Sequence, residues 1–164
     1  MKTNLKLIKS IKGKLFGGIY GKIIHIHNND DELILYCSKP LISIHSSQGN
    51  GDDRFWSFDW EELKTGEDVL LINDRKTPDP LDYKIIESPT QKYIISASSY
   101  YTRKNLITEV WGYGFFESNV GNITSIVLKL EDSFIHIGAS PAIEIRITKD
   151  KPTIEESLSL LVSS

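Results

Sequence analysis

At 164 residues, with 40% hydrophobic and 25% charged side chains, the chain has the composition of one globular domain and excludes a disordered or fibrous architecture. A single cysteine, Cys37, excludes an internal disulfide, so a packed core must hold the fold, and a reducing, cytoplasmic setting is expected. The net charge of −3 hides an asymmetry: residues 1–27 carry six lysines and no acid, whereas residues 28–87 carry fourteen acids against six bases.

That basic start is short and lacks arginine, and the acidic segment follows it at once, so no phosphate-tracking surface for nucleic acid is expected. Lysines interrupt every apolar run in the first twenty residues, which predicts no signal peptide. No stretch approaches the roughly 18 apolar residues of a spanning helix, and no membrane partner is expected.

In chain order, Leu5 to Leu15 fits either an amphipathic helix or an edge strand. Ile19–His27 and Glu32–Ser38 alternate as strands and predict a hairpin through Asn28-Asn29-Asp30-Asp31, residue types that tolerate turn geometry. Both faces of the second strand are apolar, so it should lie inside a covered sheet. Leu41–His45 should add a strand after Pro40.

Gln48–Arg54 reads as a polar loop, Phe55–Trp60 as a strand, and Trp60–Thr65 as a helical turn ended by Gly66. Val69–Asn73 is a further apolar run, and Asp74–Asp82, with its prolines, a loop suited to local mobility. Strands are expected at Tyr83–Glu87, Lys92–Tyr101, Leu106–Glu117, Ile123–Leu130, Phe134–Ile137 and Ala142–Thr148, with Gly112 and Gly114 marking a bend or bulge. Thr153 and Glu156 have the spacing of a capping box for a short terminal helix, although Leu158, Leu160 and Val162 alternate as a strand would. Together these elements predict one mainly β domain, an antiparallel β-sandwich or barrel-like meander with at most one or two short helices.

Two arrangements could carry chemistry. His25 and His27, two apart on a strand, share a face and could approach one metal. With Glu32 they resemble the histidine-x-histidine and glutamate part of the first cupin motif, which implies a metal-binding barrel or metalloenzyme. Ile19 and Lys39 stand where that motif has glycine, and its second half is not matched around His136. Alternation also puts Trp56, Phe58 and Trp60 on one face, with Asp52, Asp53, Asp59 and Glu61 near them in sequence. Such aromatics either fill a core or, beside carboxylates, grip a basic partner.

Cys37 lies among apolar neighbours and reads as an inert buried thiol. Neither a Gly-x-Ser-x-Gly elbow nor a phosphate-binding glycine motif occurs, and no cofactor is expected. The segment Ser125–Thr148 is similar to the C-terminal hairpins of small uncharacterised bacterial proteins, some of immunity type. That resemblance implies a binding role and carries no functional residue. The sequence therefore favours a non-catalytic binding protein, of the kind that occludes a toxin, with a basic protein surface as partner and oligomerisation open.

Overall fold

The structure is a computed structural model that describes residues 2–47, 53–86, 92–102, 105–140 and 142–164. In chain order the elements are α1 (Lys2–Ser10), β1 (Leu15–Gly21), β2 (His25–Asn29), β3 (Glu32–Cys37), β4 (Leu41–His45), β5 (Arg54–Glu62), β6 (Asp68–Arg75), β7 (Tyr83–Ile85), β8 (Tyr93–Ile95), β9 (Ser98–Tyr100), β10 (Glu109–Glu117), β11 (Val120–Lys129), β12 (Phe134–Ser140), β13 (Ala142–Thr148) and β14 (Ser159–Ser163). Every pairing among these strands is antiparallel.

They form an open five-stranded sheet in the order β6-β5-β4-β1-β9, an open seven-stranded sheet in the order β14-β10-β11-β12-β13-β3-β2, and the small hairpin β7-β8. Neither large sheet closes into a barrel, and the arrangement is a sandwich-like meander.

The main core lies between the inner faces of the two large sheets. Phe16, Ile19, Ile42, Ile44, Trp56 and Phe58 come from the five-stranded sheet, and Leu35, Ile126, Leu128, Ile135, Ile137, Ile143 and Ile145 from the seven-stranded one. Fully burying a side chain of this size contributes about 1.5–3 kcal/mol, so this layer dominates stability. The sequence pattern is the cause: in β12 and β13 every second residue is Ile or Ala, which a two-residue period sends to one face.

α1 resolves the ambiguity of the N-terminus in favour of a helix. Leu5, Ile8 and Ile11 recur every third residue and face the core, while Lys6, Lys9 and Lys12 are exposed. Gly112 makes room for it on the inner face of β10, because a Cβ there would press on Val162 and Ile123, with Ile8 alongside. Gly13, at φ 84°, turns the chain out of the helix toward β1. The expected bulge in β10 is present, as register shifts at Gly112–Gly114 against both neighbours.

Three local expectations are corrected by tertiary packing, and one open alternative is decided. Ile19–His27 is not one strand: it breaks after Gly21, and the chain passes from the five-stranded to the seven-stranded sheet before His25. Lys92–Tyr101 divides likewise into β8 and β9, which belong to different sheets. The helical turn at Trp60–Thr65 is replaced by strand to Glu62 and a tight turn in which Gly66, at φ 87°, donates to Leu63 O. Of the two readings of the C-terminus the strand is the one formed: the Thr153–Glu156 capping pattern opens no helix, because the chain is drawn across the sheet to add β14 beside β10. Most of the loop at 48–54, and Pro141, lie outside the described residues.

The β2-β3 hairpin turns at Asp30-Asp31, and β3 sits between β2 and β13, interior as expected. Cys37 is buried there, and burial pushes its thiol pKa up, consistent with an unreactive sulfur. Among the described residues no helix is long and apolar enough to cross a membrane.

Candidate functional site

Alternation that turns the isoleucines of β12 and β13 inward turns His136, Gly138, Glu144, Arg146 and Thr148 outward. β11 and β3 add Ser125 and Glu32 to the same outer face, in the register Ser125↔Gly138↔Glu144 and His136↔Arg146. The chain after β13 must then reach β14 at the far side of β10, and residues 149–158 cross this outer face to do so. Lys151 anchors the crossing, with Nζ 3.9 Å from the centre of the Trp111 ring, which itself stacks on Phe134.

Between this strap and the sheet lies a groove of about 780 Å³, lined by the outward residues, by Pro152–Glu155 of the strap and by Glu67 and Asp68 at the start of β6. Thr124 Oγ1 donates to Asp68 O at 3.2 Å and ties that corner to the seven-stranded sheet.

Arg146 is the only Lys or Arg among the described residues that line the groove, and it is occupied. Its Nη1 donates to both oxygens of Glu32 at 3.1 and 3.3 Å, and its Nε donates to Glu144. Glu144 first, then Glu32, holds the guanidinium more firmly charged than usual. Five carboxylates, Glu32, Glu67, Asp68, Glu144 and Glu155, thus face one guanidinium that two of them already engage. The groove carries net negative charge.

Two residues of its lining carry a buried polar atom without a hydrogen-bond partner, Ser125 Oγ and His136 Nε2. Ser125 is only 3% exposed. Burial, and next the Arg146 charge, push the His136 pKa down, with Glu144 opposing, so the imidazole is neutral near pH 7. Leaving such atoms unbonded costs about 1–3 kcal/mol each, a cost that a ligand can recover.

The residues singled out from sequence fall elsewhere. His25 and His27 lie on the exposed edge strand β2, where His27 meets the Tyr36 ring edge-on at 5.5 Å. His27 shares a cross-strand row with His136, but three strand spacings, about 14 Å, separate them. Among the described residues no third His, Cys, Asp or Glu gathers with the pair to hold a metal.

The aromatic and acidic residues of β5 divide between its two faces. Trp56, 1% exposed, is a core residue whose Nε1 donates to Asp74, and Trp60 packs partly against the same core. Asp59, on the other face, caps the Trp60 amide and lies 3.6 Å from Lys39, and Glu61 is exposed. The expected single patch is therefore not formed: a strand's alternation separates neighbours in sequence. Asp53 is held by His45 on the outer face of the five-stranded sheet, and Asp52 lies outside the described residues.

Comparison of the chain with protein-family models, with curated proteins and with solved structures gives no match. The groove must be interpreted from its own chemistry. Its signal in the sequence was the run of polar residues at alternate positions in Phe134–Ile137 and Ala142–Thr148. Glu67, Asp68 and Glu155 had no such signal, because the sheet order and the strap bring them in.

Proposed function

We propose that this chain is a binding protein that takes a cationic segment of another protein into the groove beneath its 149–158 strap. The observation that carries the reading is the excess of carboxylates there: Glu67, Asp68 and Glu155 remain available once Arg146 has engaged Glu32 and Glu144. A lysine or arginine side chain would bring N–H donors to these carboxylates, and His136 Nε2 and Ser125 Oγ can accept from it as well. Occlusion of a basic toxin, in the manner of an immunity protein, is the form of this function that the 125–148 resemblance suggests.

Titration calorimetry with hexalysine, and hexaglutamate as control, tests it. Hexalysine should bind and hexaglutamate should not, with affinity falling as salt rises. Glu67→Gln with Asp68→Asn should weaken hexalysine binding by about tenfold, on the order of 1 kcal/mol or slightly more for the two contacts. Equal affinity for the two peptides, or no effect of that double variant, would defeat the proposal.

A further inference from the structure

The outer face of the five-stranded sheet holds a second constellation, independent of the groove. Ser43 and His45 are two apart on β4 and so project to the same face. Asp53 immediately precedes β5, the partner of β4, and its Oδ1 lies 2.7 Å from His45 Nδ1. A hydrogen bond of that kind fixes the imidazole with its Nδ1 proton on Asp53 and leaves Nε2 facing the other way.

Nε2 faces Ser43. A Cβ placed on Gly17, the bulged residue of β1, would overlap both His45 Nε2 and Ser43 Oγ, so the two atoms converge above the same glycine. Ser43 is 1% exposed and its Oγ has no hydrogen-bond partner, an expensive arrangement with no evident structural return. A nucleophile, a base beside it and a carboxylate that orients the base are the parts of an activated hydroxyl, and their spacing is commonly loose without substrate.

Tyr20 lines the same pocket, its ring edge-on to that of Tyr101 at 5.8 Å. Burial, then Tyr101, push the Tyr20 pKa far above its usual value, so the phenol keeps its proton. These groups open into a cavity of about 370 Å³ walled by Phe55 and Tyr93. Phe55, Tyr93 and Ile95 give this largely polar cavity an apolar part that suits the aryl group of a small ester.

We infer that Ser43 is an acyl-accepting nucleophile, with His45 as its base and Asp53 as the residue that positions His45, acting on small aryl esters. Ser43 Oγ attacks the ester carbonyl as its proton passes to His45 Nε2. The carbon–oxygen bond to the leaving group breaks, and that oxygen takes the proton from Nε2. Water then attacks the acyl-serine, giving one proton to Nε2, and Ser43 leaves as the hydroxyl by taking that proton back. The products are a carboxylic acid and a phenol, with no redox partner required.

The full chain is treated with a fluorophosphonate reporter and, separately, with 4-nitrophenyl acetate. One equivalent of reporter should attach to the peptide that contains Ser43, and nitrophenol should appear. Ser43→Ala should abolish both signals while hexalysine binding persists, and Asp53→Asn should slow labelling about 10²-fold with an unchanged circular dichroism spectrum. Failure of the folded native protein to label, labelling at another residue, or an undiminished rate in Asp53→Asn would each overturn the inference. The native labelling result stands whether or not a variant folds.

Discussion

The two large sheets resemble each other on their inner faces and differ on their outer ones. Outside the five-stranded sheet, Leu41 and Phe55 are covered by Leu81 and by Tyr93 of the β7-β8 hairpin, which makes a second small apolar core. Phe55 and Tyr93 meet edge-on at 5.5 Å, and Tyr83 meets Tyr93 at 5.3 Å. Outside the seven-stranded sheet, a ten-residue strap crosses a charged floor and leaves a groove. Part of one face is closed by packing, up to the cavity beside Ser43 and His45, whereas the other is bridged over polar groups. The lesson is that apolar cover consumes the area on which it packs and leaves a cavity only beside it, while a strap over charges preserves the floor beneath it.

The largest expected effect separates the two kinds of cover. Tyr93→Ala should remove about 3–5 kcal/mol of stability by opening a cavity in the small core. Ile154→Ala in the strap, where the side chain is only partly buried, should cost under about 1.5 kcal/mol. Denaturant midpoints of the two variants measure the difference. A strap variant as damaging as the hairpin variant would erase the distinction.

A smaller effect sharpens the electrostatic half of the comparison. Arg146→Met leaves Glu32 and Glu144 without their shared partner and should cost about 1–2 kcal/mol, limited by the partial exposure of all three groups. Adding Glu32→Gln and Glu144→Gln should return most of it, since the three residues form one unit. Thermal unfolding of the single and triple variants provides the check. Arg146→Met alone should also tighten hexalysine binding, because the groove becomes more negative.

The smallest effect is one of pH. The folded-state pKa of His136 lies below its ordinary value of 6.5, so the unfolded chain takes up a proton that the folded one refuses. Stability on this account is full above about 6.5 and falls as pH drops toward the folded pKa. His136→Gln should flatten that part of the profile, measured by urea midpoints between pH 7 and pH 5. An identical slope in the variant would show that His136 does not contribute.

Individual elements show how far the sequence could be followed. The β2-β3 hairpin, β3 as an interior strand, and the run of hairpins from β10 to β13 were legible, because their signals are local alternation and local turn residues. Ile19–His27 and Lys92–Tyr101 read as single strands because nothing local marks the point where a chain leaves one sheet for another. The Thr153–Glu156 pattern is a sound helix start on its own, and strand pairing beside β10 outweighs it. Ser43, His45 and Asp53 were hidden for a related reason: they form no contiguous motif, and only the β4-β5 pairing and the β1 bulge bring them together.

By itself, then, the sequence determined the β class and which side chains share a strand face, since a two-residue period sends alternate side chains to opposite faces wherever the strand is placed. Tertiary structure alone decided what lies on the outer faces. Sheet order and the route of residues 149–158 are set by contacts between segments far apart in the chain, so which polar residues meet across strands is fixed only after those segments have packed.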